Sequence, residues 1–455
     1  MSSPKSTAIL AESRALLALA WPMVIAHLAQ IGTGVVDTIM AGHYNSSDLA
    51  AVAIGYNIWL PLYLFVIGVS LGATYIIAQH AGAGRTSEIR NSLPQALWLA
   101  LALGLVVGPI CFGAGPLLDA LGLDPNTSAK SLGYLQAVAL GLPAAALFEA
   151  LRCHGQGVGV MRPFAAASVV TFLANIPLNY ALMYGRWGLP ELGAAGCGWA
   201  TAFSMWLGAA VLCFYMTRAA ALQGYMPPWR LVAPRLDAIG EIVRLGLPLG
   251  FTLFLEVAFF SVIALCIATL GEVAVGAHQV AFSMWDIVYM PLISFGSALA
   301  IRLGHAIGAG DRAALNLSIR CGIGMTMLVG LLGMTLLLSS PALLVSLFTS
   351  DAEIAAMAVI LVRLAALFIL IDAAQVAASY SLRAFKDTRF AFFALCLAYW
   401  LITLPLGYWR GIMHADNALQ GTVAFWQSLI VGIAVTSVLV FARLYSTLRK
   451  QRAAA

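Results

Sequence analysis

The sequence predicts an all-α integral membrane protein, with twelve transmembrane helices in two six-helix bundles related by a pseudo-two-fold axis. Three observations carry that prediction. Of 455 residues, 62% are hydrophobic and only 9% charged, far from the balance of a water-soluble domain. The apolar residues fall in long continuous runs, and crossing a hydrocarbon layer of about 30 Å takes about 20 of them in a helix. The second half of the chain also repeats features of the first at an offset of 226 residues.

Taken in order, the predicted spans are 15–39, 50–78, 93–115, 132–152, 164–184, 194–216, 245–270, 275–301, 317–339, 355–381, 390–409 and 421–443, separated by short polar or Gly/Pro-rich breaks. No alternation of apolar and polar residues over ~10-residue segments argues for barrel strands. The first run lacks a small-residue cleavage site and leads into further spans, so it is read as an uncleaved helix. An even number of spans puts both termini on one side. All but Lys130, Arg186, Arg363 and Arg410 of the 24 Lys and Arg fall on that side, Arg230 of the central linker among them. The positive-inside rule makes it the cytoplasm. The net charge of +5 is thus a topology signal, and no basic, aromatic-interleaved surface argues for nucleic acid. The seven Cys lie in or beside apolar runs with no CxxC pair and read as small core residues.

The stretch 218–244, "RAAALQGYMPPWRLVAPRLDAIGEIVR", interrupts the hydrophobicity and divides the chain into a first lobe of 1–217, a cytoplasmic linker of 218–244 and a second lobe of 245–455. "LAAVAIGYNIWLPLYLFV" (49–66) aligns with "VGAHQVAFSMWDIVYMPL" (275–292), placing Trp59 over Trp285 and Tyr63 over Tyr289. "GAGR" (82–85) aligns with "GAGD" (308–311), and "IPLNY" (176–180) with "LPLGY" (404–408). A parallel six-helix repeat implies two lobes with a cavity between them, which is a transporter architecture.

A charge at the bilayer centre costs ~2.5–3.5 kcal/mol on insertion scales, so intramembrane acids point to function. Those within spans are Asp37, Glu149, Glu256, Asp286 and Asp372. Asp37 shares a helix face with His27, Gln30 and Gly34. The plain alternative is that it caps the outer end of its helix. Asn175 and Asn179, at i and i+4, and Thr201 on the next span would complete a polar pocket in the first lobe. In the second, Glu256 falls over Gln30 at the repeat offset, and Phe259 and Phe260 beside it offer either a face for a cation or ordinary packing. Asp372 heads a polar stripe with Gln375 and Ser379. Two carboxylates in one apolar lobe favour holding a proton or a small cation such as Na⁺ between them. Asp286 has Tyr289 and His278 as neighbours that could satisfy it, and Glu149 reads as an i, i+3 ion pair with Arg152. Arg363 snorkels outward, and the seven His show no metal spacing.

These residues carry a family likeness. "VVDTIMAG" (35–42), "LAAVAIGYNIW" (49–59), "LRCHGQGVGVMRPF" (151–164), "NIPLNYALMYG" (175–185), "GAHQVAFS" (276–283), "LRAFKDTR" (382–389) and the separated acids Glu256 and Asp372 stand in order along nearly the whole chain. In this it resembles the multidrug and toxic compound extrusion (MATE) family, in its NorM-like bacterial branch. The resemblance implies a V of two bundles that exchanges cytotoxic cations, such as drugs or dyes, for incoming Na⁺ or H⁺, as a monomer without a cofactor. It also implies a cation site carried by Glu256, Tyr289 and Asp372, with Asp351 at the outer end. Similar sequences pair that last acid with a second, where this chain has Ser350. Other branches have an acid at the position of Asn179.

Two other readings make different demands. An integral-membrane enzyme would need a nucleophile with its base, or a metal motif, and neither is found in the sequence. A flippase for lipid-linked precursors would favour a cationic cavity, whereas the acids here make an acidic one.

Overall fold

The structure, a computed structural model, describes residues 4–227 and 232–453. Arg230 lies outside the described residues, as do the side chains of Lys5 and Arg452. Eleven helices among the described residues are long and apolar enough to cross a membrane, and a bent pair brings the spans to twelve. In order they are Pro4–Tyr44, Ser46–Gly82, Thr86–Phe112, the pair Pro125–Ala139 and Leu142–Val158, then Arg162–Met183 and Ala194–Arg218. The second six are Leu236–Ala268, Glu272–Ala309, Arg312–Ser339, Ala352–Ala384, Thr388–Met413 and Ala418–Ala453. The protein is a multi-pass helical membrane protein.

Most helices outrun their hydrophobic windows by a turn or two, because polar ends can extend a helix into water without cost to the apolar middle. The seventh begins at Leu236, inside the segment read from the sequence as linker. Its first turns place Asp237 and Glu241 at exposed positions while Ile242 is buried, an amphipathic pattern. The fourth span is broken by 44° between Ala139 and Leu142, where Pro143 has no N–H to carry the helix through. The eleventh is wound more loosely, as a π-helix over Cys396–Thr403 and again over Trp409–Met413.

Packing divides the chain into two compact units, one of Trp21–Phe254 and the other of Met1–Ala20 with Leu255–Ala455. In the first unit, backbones touch through glycine, as small residues allow in membrane helices. A Cβ at Gly246 would overlap the Val69 carbonyl oxygen, and one at Gly196 the Leu182 carbonyl. The second of these contacts binds the fifth span to the sixth and so sets the spacing of the polar side chains they carry. In the second unit a core of Phe259, Ile263, Trp285, Phe368, Ile369, Tyr399, Phe425 and Trp426 joins five spans. There Glu12 takes a two-pronged ion pair from Arg302, at 3.0 and 2.5 Å, and a 2.6 Å hydrogen bond from Ser318, fixing the start of the first helix.

The repeat is visible in local geometry. Trp59 packs on Tyr63 at 5.2 Å between ring centroids, and Trp285 on Tyr289 at 4.8 Å. Pro22 and Pro248 fall inside the first and seventh helices at corresponding positions.

Candidate functional site

Asp37 lies in the interior of a helix that continues to Tyr44, so it caps nothing. Its carboxylate is 4% exposed and is held from two other spans. Asn179 Nδ2 donates to Oδ1 at 2.6 Å, and the Thr201 hydroxyl donates to Oδ2 at 3.1 Å. The same Asn179 amide donates to Asn175 Oδ1 at 2.9 Å. Spacing of i and i+4 puts the two asparagines on one helix face, and the glycine-mediated approach of the next span brings Thr201 up to them. Asn175 Nδ2 and Asn179 Oδ1 have no partner among the described residues. The pocket therefore keeps a spare donor and a spare acceptor beside a buried acid, a combination that can exchange partners. Cys197 and Tyr134 also border Asp37. Both went unnoticed in the sequence, where a Cys and a Tyr in apolar runs read as packing. Tyr134 is fixed by a 3.2 Å bond from the Trp59 indole.

Gln30 does not join this group. It is exposed, because the side chains that cover Asp37 come from helices that meet the first span near that acid, and seven residues earlier is about 10 Å away along the axis. His27, on the same face, instead packs edge-on against Phe164. Glu149 and Arg152 pair at 2.6 Å as the spacing predicts, and Tyr63 adds a 3.4 Å bond to Glu149.

In the second unit, Asp372 is buried at 4% exposure and Glu256 is half-buried. The two acids are electrostatic neighbours of each other and of Tyr289 and Tyr399, which two further spans supply. No hydrogen bond ties one acid to the other among the described residues. Trp285 borders Asp372, yet its indole N–H has no hydrogen-bond partner there. Arg383 is the cation nearest in influence to Glu256, and its guanidinium lies 3.9 Å over the Tyr380 ring. Phe259 and Phe260 form the wall: Phe259 packs at a tilt on Tyr399, 4.7 Å between centroids, and Phe260 on Trp285 at 5.3 Å. Tyr399 and Arg383 were not singled out in the sequence, since neither stands apart from its surroundings there.

The remaining predicted residues are placed apart from the acid pair. Gln375 donates to Ser379 at 3.0 Å, so the polar stripe below Asp372 is partly self-satisfied. Asp286 is half-buried, with no hydrogen bond among the described residues. Asp351 is exposed and caps the Ala352–Ala384 helix, accepting from the N–H groups of Glu353 and Ile354 at 2.9 and 3.0 Å. That is an ordinary N-cap. Among the described residues, no group of three or more His, Cys, Asp or Glu could hold a resident metal ion.

Twelve helical spans in two repeated halves, each with a buried acid in a polar or aromatic setting, define a polytopic membrane transporter. The MatE family model matches residues 22–181 and 248–409, one segment in each half. Multidrug resistance protein PmpM of Pseudomonas aeruginosa is 38% identical over 445 residues, covering 97% of this chain and 93% of that one. Multidrug resistance protein MdtK of Edwardsiella ictaluri is 36% identical over 436 residues, covering 95% of each. Among solved structures, an outward-facing multidrug resistance MATE family transporter of the MOP superfamily superposes with a TM-score of 0.88 at 18% identity over 97% of both chains. The eukaryotic MATE transporter AtDTX14 gives 0.86 at 20% identity over 96% of both. The chain belongs to the MatE family.

Proposed function

We propose that this protein is a secondary active multidrug efflux antiporter that exports cationic and amphipathic toxic compounds in exchange for Na⁺ or H⁺. The observation that carries the reading is the pairing of Glu256 and Asp372 across an aromatic wall in an apolar helical core. Two acids so placed favour a bound cation or proton over two bare charges. Relatives at 36–38% identity over nearly the full chain, named multidrug resistance proteins, support it. In this reading Glu256, Asp372 and Tyr289 take the coupling ion, which for Na⁺ is cargo held at the two carboxylates. Asp37, with Asn175, Asn179 and Thr201, answers the arrival or loss of charge by changing partners. Phe259, Phe260, Asp286 and Gln375 offer surfaces for polyspecific substrates, which rely on apolar and aromatic contact plus a few charges. The protein works as a monomer in the bacterial inner membrane, with both termini in the cytoplasm and no organic cofactor.

Expression in a bacterium stripped of its own efflux pumps tests this reading. Accumulation of ethidium should fall and tolerance of cationic drugs should rise, and both effects should vanish when the ion gradients are collapsed. Unchanged accumulation of every cationic probe, with altered turnover of lipid-linked precursors, would replace this reading with that of a flippase.

A further inference from the structure

The Thr388–Met413 helix ends, and the Ala418–Ala453 helix begins, at the face of the protein opposite the chain's C-terminus. Between them lies a cavity of about 330 Å³ whose wall includes Trp409, Arg410, His414, Gln420 and Gln427. No Asp or Glu lines it.

Its hydrogen-bonding capacity is lopsided. Arg410 Nη2 donates to Gln427 Oε1 at 2.9 Å, and no carboxylate pairs with this guanidinium among the described residues. Gln420 Oε1 is occupied by the Asp416 N–H at 2.9 Å. With both amide oxygens engaged, the two glutamines retain their NH₂ donors, and Arg410 retains most of its five N–H groups. His414 Nδ1 lies 2.9 Å from the Trp409 carbonyl, with its ring 4.7 Å from the indole. That leaves Nε2 to accept from a hydroxyl. A cation with surplus N–H donors, beside one acceptor for a hydroxyl, suits a phosphate ester that carries a small polyol.

The surroundings set its level. Trp409 of the lining is exposed, as are Tyr408 and Met413 close by in sequence, and exposed Tyr and Trp mark the headgroup layer of a bilayer. The Trp409–Met413 turn is π-helical, a rare winding that recurs at functional sites. Gly411 keeps the two helices close, since a Cβ there would come within 2.7 Å of the Phe425 ring. Arg410 is also one of only four basic residues assigned by sequence to this face of the membrane, so topology does not explain its presence.

We propose that this cavity binds the phosphate of an anionic phosphoglyceride headgroup drawn from the leaflet on that side. The lipid would sit where the eleventh span ends and the twelfth begins, apart from the acids assigned to coupling. A soluble phosphate ester shares the chemistry, and the aromatic rim favours the lipid as its source.

The purified full-length protein in detergent, titrated with phosphatidylglycerol, phosphatidylcholine or glycerol 1-phosphate, supplies the test. Native mass spectrometry counts the retained lipid and thermal unfolding reports its effect. Phosphatidylglycerol should be retained and should raise Tm, and Arg410→Gln should weaken that retention about fivefold or more, as loss of a charge-assisted contact does. Arg363→Gln, on another helix, should leave it unchanged. Gln427→Leu frees the guanidinium from its support and stands in should Arg410→Gln fold poorly. An Arg410-dependent shift with glycerol 1-phosphate alone would keep the phosphate and overturn the lipid source. Phosphatidylglycerol retention unaffected by either substitution, or matched by phosphatidylcholine, would overturn the site.

Discussion

One amide nitrogen, Nδ2 of Asn179, donates both to the Asp37 carboxylate at 2.6 Å and to the Asn175 carbonyl at 2.9 Å. It joins the acid of the first span to the fifth. If Asp37 gains a proton or a cation, its demand for that donor falls, and the Asn179 bond can shift wholly to Asn175. A charge event at one carboxylate thereby becomes a change in how two helices are joined. Asp37→Asn keeps the size and removes the charge. Drug export should fall by at least about tenfold, equivalent to about 1.4 kcal/mol, with expression and Tm near those of the wild type. Export at the parental rate with an unchanged pH profile would leave Asp37 a structural residue.

Asn179→Asp places a second acid in contact with the first. Two adjacent carboxylates bind protons in coupled steps. The variant should therefore transport with a visibly altered pH profile, read in vesicles across pH 5.5 to 8.5. Asn179→Ala should instead lower Tm, since it strips a donor from a buried carboxylate at a cost of about 1–3 kcal/mol.

The two repeat-related tryptophans differ in one bond. The Trp59 indole donates to Tyr134 at 3.2 Å, whereas that of Trp285 borders the Asp372 carboxylate without reaching ordinary hydrogen-bond geometry among the described residues. Replacement by Phe removes similar ring area from each. Trp59→Phe should then be the more destabilising by about 0.5–1.5 kcal/mol, one net hydrogen bond, measured by thermal unfolding in detergent. Equal loss from both would show that the bond to Tyr134 contributes nothing.

Gly246 sits where the seventh helix crosses the second against the Val69 carbonyl. Backbone cannot swing aside as a side chain can, so Gly246→Ala must push the helices apart, at about 1–3 kcal/mol. Gly224→Ala, in open space on the linker, is the control and should leave Tm unchanged.

Much of the fold was legible because hydropathy is a local property, and a span must be apolar throughout whatever it packs against. The Asp37, Asn175, Asn179 and Thr201 grouping was legible for a related reason: polar groups in apolar helices have few places to turn except toward one another. Gln30 shows the limit of that logic. It shares a face with Asp37, but what covers a face depends on where neighbouring helices cross it, and no spacing within one helix encodes a crossing. The bend at Leu140–Gly141 had a signal in Pro143 that a hydropathy count passes over. The π-helical turns and the positions of Tyr399 and Arg383 had none, because they arise from packing between segments far apart in sequence.

Efflux of a cationic dye from proteoliposomes, under a Na⁺ gradient and a pH gradient imposed separately, tests cation-coupled export most directly. The wild type should drive dye uphill under at least one gradient. Glu256→Gln and Asp372→Asn should each abolish that movement while leaving dye binding and Tm close to normal. Uphill transport at wild-type rates by both variants, or dye movement by the wild type indifferent to either gradient, would contradict the account.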